Sequence, residues 1–170
     1  MPHTIEIPRI TSSETPRQVI ARDFKSLRGE LPIRGGWGYT IEDAVIIDKN
    51  DPAVSKVIPF DGVGLEYIFA EKRIYEELVI SRPLNGRFSG IRWELLRQNL
   101  QNHDEGRAFD FLVFEITAFP DRDFAALKAE WETQSTNADF DIMAHAAKRE
   151  GKIVRYERDY WFDITSFFGK

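Results

Sequence analysis

The sequence predicts a single α+β domain: a mostly antiparallel sheet with three to four helices packed on it. Three observations carry this. Segments with period-two alternation cluster in the middle and at the end of the chain, segments with helical periodicity flank them, and the repeating strand–helix–strand rhythm of a doubly wound sheet is missing. At 170 residues the chain has the size of one domain. No shift in composition marks a second, so one domain over residues 1–170 is expected, with 1–12 read as either a flexible N-terminal arm or an edge strand.

The first helix follows Ser12-Ser13-Glu14-Thr15-Pro16, which supplies hydroxyl caps, an acid for the helix dipole, and a proline where the missing N–H costs nothing. Ile20, Phe24 and Leu27 then share one face, and Gly29 is the stop. Pro32 to Gly36 reads as a break, and Trp37 to Asp48 as extended chain ending in the β-branched run Val45-Ile46-Ile47. Gly35-Gly36-Trp37-Gly38 has the glycines of a phosphate loop but neither the following helix nor the lysine, so a tight turn is the better reading. The stretch 65–80 has two readings. Leu65, Tyr67 and Phe69 alternate as a strand would, while Tyr67, Ala70, Ile74 and Leu78 share a helical face among strong helix formers; the helix is favoured.

Ile91, Trp93 and Leu95 alternate with Arg92 and Glu94, and Asn102 to Gly106 is turn chemistry. Phe109 to Ala118 then returns with apolar residues on both faces, as an interior strand does, completing a hairpin. Pro120-Asp121 opens a helix with Phe124, Leu127 and Trp131 on one stripe. A further helix carries Phe140, Met143, Ala144 and Ala147 and stops at Gly151. The segment 153–168 closes the sheet with Tyr156, Tyr160, Phe162 and Ile164 on one parity.

Composition narrows the function classes. The absence of cysteine removes disulfides, thiolate nucleophiles, thiolate zinc sites and iron–sulfur clusters, and leans toward a reducing, cytoplasmic compartment. No charged leader with an apolar core opens the sequence, and no apolar run is long enough to cross a bilayer. A net charge of −5 with acids and bases interleaved argues against nucleic acid as a partner. No nucleophile elbow, Walker loop, paired-histidine zinc motif or EF-hand loop occurs, and no cofactor is expected.

What remains is thin. Asp141 and His145 stand four apart, one helical turn, as a possible oriented base or metal-ligand pair, with the Glu residues between Glu66 and Glu77 as acid–base companions. The plainer reading is a first-turn acid and its helical neighbour. The thirteen Phe, five Tyr and four Trp exceed what a minimal core requires. Trp161, opposite in parity to Tyr160 and Phe162, and Phe167-Phe168 near the chain end are therefore candidate binding or interface residues. The leading expectation is a non-enzymatic protein-binding or self-associating domain of the immunity or inhibitor type, with a protein partner or a second copy as ligand. The alternative is a small enzyme or small-molecule binder with a pocket between sheet and helices, served by Asp141 and His145.

Overall fold

The structure, a computed structural model, describes residues 6–27 and 29–169. Residues 1–5, with His3 and the first part of the expected arm or edge strand, lie outside the described residues. The elements run α1 (Pro16–Asp23), β1 (Ile33–Gly35), β2 (Val45–Ile47), α2 (Gly62–Tyr75) continued by a π turn (Glu76–Ile80), β3 (Phe88–Asn102), β4 (Ala108–Pro120), α3 (Asp121–Gln134), α4 (Ile142–Lys152) and β5 (Val154–Asp163). One five-stranded sheet in the order β1-β2-β5-β4-β3 organises them. Every pairing is antiparallel except β2 with β5, so the α+β class holds with a mixed sheet and four helices. No helix among the described residues is long and apolar enough to cross a membrane.

The hairpin β3–β4 is the longest pairing, running from Phe88 opposite Pro120 to Asn102 opposite Ala108. Period-two alternation sets its register, since a one-residue slip would turn Leu112, Phe114, Ile116 and Ala118 out of the core. These four, with Tyr160 and Phe162 of β5, face Phe69, Ala70 and Ile74 of α2 and Leu78 of the π turn, all buried. Phe69 meets Tyr160 and Phe162 edge-on, each at 5.6 Å between ring centres. The helical reading of 65–80 is thus the observed one, fixed by one continuous apolar stripe against the sheet.

The expected extended run Trp37–Asp48 is realised only as β2, and β1 lies in the stretch read as a break. Gly35 (φ 83°) and Gly38 (φ 79°) turn the chain left-handed, and residues 36–44 fold into a loop. There the Trp37 N–H donates to the Asp43 carboxylate at 3.1 Å, and the Gly36 N–H to the Ala44 carbonyl at 3.1 Å. Helix α1 is shorter than its stripe suggests; Thr15 caps it with Gln18 in a reciprocal capping box, and Leu27 packs on the core from the turn beyond.

The bulge in β3 rests on Gly90, whose φ is 61° and where a Cβ would lie 2.7 Å from the Phe124 ring. Gly90→Ala is expected to cost about 1–3 kcal/mol, from backbone strain and from displacing α3. Urea denaturation measures it. A loss below about half a kcal/mol would mean that the bulge relaxes freely.

Candidate functional site

Helices α3 and α4 form a hairpin that leaves the sheet at Pro120 and returns to it at Val154. Asp121 and Asp123 place negative charge at the start of α3, and the Asp141 carboxylate caps α4 by accepting from the Ala144 N–H at 3.0 Å. The hairpin meets the sheet where Phe124 packs on Phe119 and Arg149 lies over the Phe119 ring. Further out, Glu130 of α3 reaches His145 Nδ1 at 3.0 Å and Lys148 Nζ at 2.8 Å. The Lys148 ammonium, with His145 second, holds the Glu130 carboxyl below its ordinary pKa. Trp131 packs edge-on against Phe140 and tilted against His145, with ring centres 5.8 and 5.5 Å away.

Neither helix buries a single residue. Between them runs a groove of about 390 Å³ lined by Phe124, Leu127, Trp131, Ile142, Ala146 and Arg149, with His145 on its wall. Trp131 is 48% exposed, Ile142 61% and Met143 79%. Of the one face formed in sequence by Phe140, Met143, Ala144 and Ala147, only Phe140 is half-buried, and the other three are exposed. Instead α4 turns Ile142, His145, Ala146 and Arg149 toward α3 and the sheet, with His145 and Lys148 meeting Glu130.

The two histidine-pair residues therefore have separate duties. Asp141 is a cap, and the carboxylate that orients His145 comes from Glu130 on the neighbouring helix. Among the described residues no group of three or more His, Asp or Glu side chains is arranged to hold a metal. The C-terminal aromatics disperse. Trp161 is half-buried against Phe111, with ring centres 4.6 Å apart. Phe167 packs on Phe60 at 5.3 Å and over Gly62, where a Cβ would strike its ring. Phe168 remains exposed.

A second concentration of chemistry lies inside the fold. The π turn lets Glu76, Glu77 and Leu78, three successive residues, all be buried; such turns often mark functional positions. Arg73, fully buried, lies 4.1 Å from the centre of the Trp37 ring and donates to Glu76 at 3.0 Å and to the Tyr39 hydroxyl at 2.7 Å. Arg158 of β5 donates to Glu77 at 2.9 Å and stacks on Tyr156. Burial pushes Glu76 up to about 8, and also raises Glu77 against the pull of Arg158, Arg73 and Arg9. Burial likewise raises the Tyr156 and Tyr160 phenols.

A third buried group, Glu66 on α2, shares its surroundings with Asp110 of β4, which accepts from Gln98 Nε2 at 2.6 Å. Burial first, then the charge and hydrogen bond of Asp110, raises Glu66 to about 9. The folded chain thus holds this proton through a range in which the unfolded chain has released it. Glu66 adds stability that is fully present below about pH 4.5 and is lost as pH rises through about 9. Glu66→Gln is expected to flatten the fall in stability between about pH 5 and about pH 8 by a few kcal/mol. Urea midpoints at the two pH values test this, and an unchanged slope would contradict it.

Sequence reading did not single out Arg73 or Arg158, and placed Tyr156 only as a strand residue of the closing segment. The Glu residues between Glu66 and Glu77 gave a signal, as acid–base companions of Asp141 and His145, but the structure sets Glu66, Glu76 and Glu77 in the core of the fold with Arg73, Arg158 and Asp110 instead. No family model, curated protein or solved structure matches this chain.

Proposed function

We propose that the chain is a cytosolic, non-enzymatic domain that works by self-association, its α3–α4 hairpin pairing with that of a second copy to complete a four-helix bundle. The observation that carries this reading is a two-helix unit that presents an apolar stripe and fully buries none of it, only Phe124 and Leu127 being half-buried. A hairpin of helices about 21 and 16 Å long cannot cover its own apolar face, whereas two hairpins face to face can.

Charge favours a second copy over a chain of other composition. Helix α3 carries four acids against two bases, net −2, and α4 three bases against one acid, net +2. A two-fold interface that sets α3 of one copy on α4 of the other places unlike charges together twice. The seam would bury Trp131 and Ile142, each contributing about 1.5–3 kcal/mol.

The test is light scattering coupled to size exclusion on the intact chain. The expected mass is twice that of the chain, falling to one chain when Ile142→Asp puts a charge into the seam. A monomer at every accessible concentration would overturn the proposal. A small-molecule pocket on the same groove is a second reading, favoured by the Glu130–His145 bond alone. It predicts a monomer whose His145→Ala variant loses ligand-dependent thermal stabilisation.

A further inference from the structure

Residues 6–12 cross the fold as an arm without secondary structure. The Ile7 side chain enters the core, and Arg9 lies over the rings of Tyr39 and Tyr160 while pairing with Asp159. Among the described residues, none of the main-chain hydrogen bonds that tie the turns and loops together starts or ends on this arm. Side chains of the body hold the arm instead, and they hold it by its carbonyls. Arg158 donates to the Ile7 oxygen, while Arg73 at 3.2 Å and the Tyr39 hydroxyl at 2.5 Å donate to the Ile10 oxygen. Carbonyls three residues apart on an extended chain are thus read by groups that are indifferent to the side chains between them.

The fit is incomplete. Arg9 Nη1, Arg73 Nε, Glu77 Oε1 and the hydroxyls of Tyr156 and Tyr160 are buried there without a hydrogen-bond partner among the described residues, although buried polar groups are nearly always paired. The neighbouring edge of β5 is also only partly used. β2 pairs with it at Phe162 and Asp163, and the Gly38 carbonyl takes the Trp161 N–H, which leaves the run from Val154 to Tyr160 beyond the reach of β2.

We infer that the cleft formed by Tyr39, Arg73, Glu77, Arg158 and the edge of β5 is a peptide-binding site that residues 6–10 fill in cis. Its ligand is an extended segment with an apolar side chain followed, two residues on, by an arginine. The apolar side chain takes the place of Ile7. The arginine takes the place of Arg9, between the two tyrosine rings and Asp159, on the acidic rim where Glu157 is exposed. A segment able to pair its main chain with β5 would satisfy more of this cleft than the resident arm does.

The test uses the full chain, folded first and then cut at a protease site inserted after Thr11, where residues 11–15 are exposed. After dialysis to remove the freed arm, a dye-labelled peptide of residues 6–12 is added and binding is read by anisotropy. The expected result is saturable binding. It weakens about tenfold or more for the peptide carrying Arg9→Glu, which meets Asp159 with like charge, and by a similar factor for the uncut chain, whose cleft is filled. Three results would overturn the inference: a cut chain that stays folded and takes no peptide, a cut chain that loses its cooperative thermal transition, or equal binding of the two peptides.

Discussion

Replacing Trp131 with Glu is expected to weaken self-association by about 2–4 kcal/mol, a shift in dissociation constant of about thirty-fold to a thousand-fold. Trp131 is the largest side chain on the groove and stands at its outer end, 48% exposed in the single chain. A buried aromatic at the centre of an interface is where binding energy concentrates, and a carboxylate there must be desolvated without a partner. The single chain should hardly notice. Trp131 contributes to no buried cluster, so the variant's urea midpoint at high dilution is expected within about 1 kcal/mol of the parent. Analytical ultracentrifugation over a dilution series measures the first quantity, and chemical denaturation the second. Loss of association together with loss of the fold would move Trp131 from interface to scaffold.

Arg73→Ala is the substitution expected to cost the fold most, about 3–5 kcal/mol. Its guanidinium is fully buried, and it joins Glu76, the Tyr39 hydroxyl and the Ile10 carbonyl. Truncation leaves Glu76 in the interior without its donor and takes one donor each from the Tyr39 hydroxyl and the Ile10 carbonyl, which keep only their bond to each other. In a domain whose whole stability is of the order of 5–15 kcal/mol, that brings unfolding close to ordinary temperatures. Removing both polar partners at once, with Arg73→Met and Glu76→Leu, should recover much of the loss, since a buried polar pair contributes little net stability over an apolar replacement. Thermal and urea unfolding decide this. A double variant as unstable as the single one would mean that the arm's carbonyl contacts, rather than the ion pair, carry the energy.

These two predictions sit at opposite ends of what the sequence discloses. The β3–β4 hairpin was legible because alternation over Phe109–Ala118 has one consistent solution, a strand with both faces occupied. Helix α3 was legible from its proline start, its first-turn acids and a seven-residue stripe. Of the two three-residue strands, β2 was legible as the β-branched run Val45-Ile46-Ile47, while β1 was not, because it lies in the stretch read as a break and only its pairing with β2 makes it a strand. The facing of α4 was misjudged because hydrophobicity alone chose Met143 and Ala147, while the helix turns Ile142, His145, Ala146 and Arg149 toward its neighbours, a face of mixed polarity.

The interior charges were the least legible. Glu76 and Glu77 look like surface residues until Arg158, 81 residues further on, comes to Glu77, and until a π turn brings both carboxyls inward. Composition assigns charge to the surface by default, and only tertiary structure can name the partner that makes burial tolerable. His145 shows the same limit: its neighbour in sequence, Asp141, is used as a cap, and its neighbour in space is fifteen residues away.

The most direct measurement of the proposed association is amide hydrogen exchange on the intact chain across a range of concentrations. Pairing of the hairpins predicts that protection rises with concentration in Asp121–Gln134 and Ile142–Lys152 and stays constant in β3, β4 and β5. Exchange in those two helices that is independent of concentration, or a concentration-dependent change confined to the edge of β3, would contradict it.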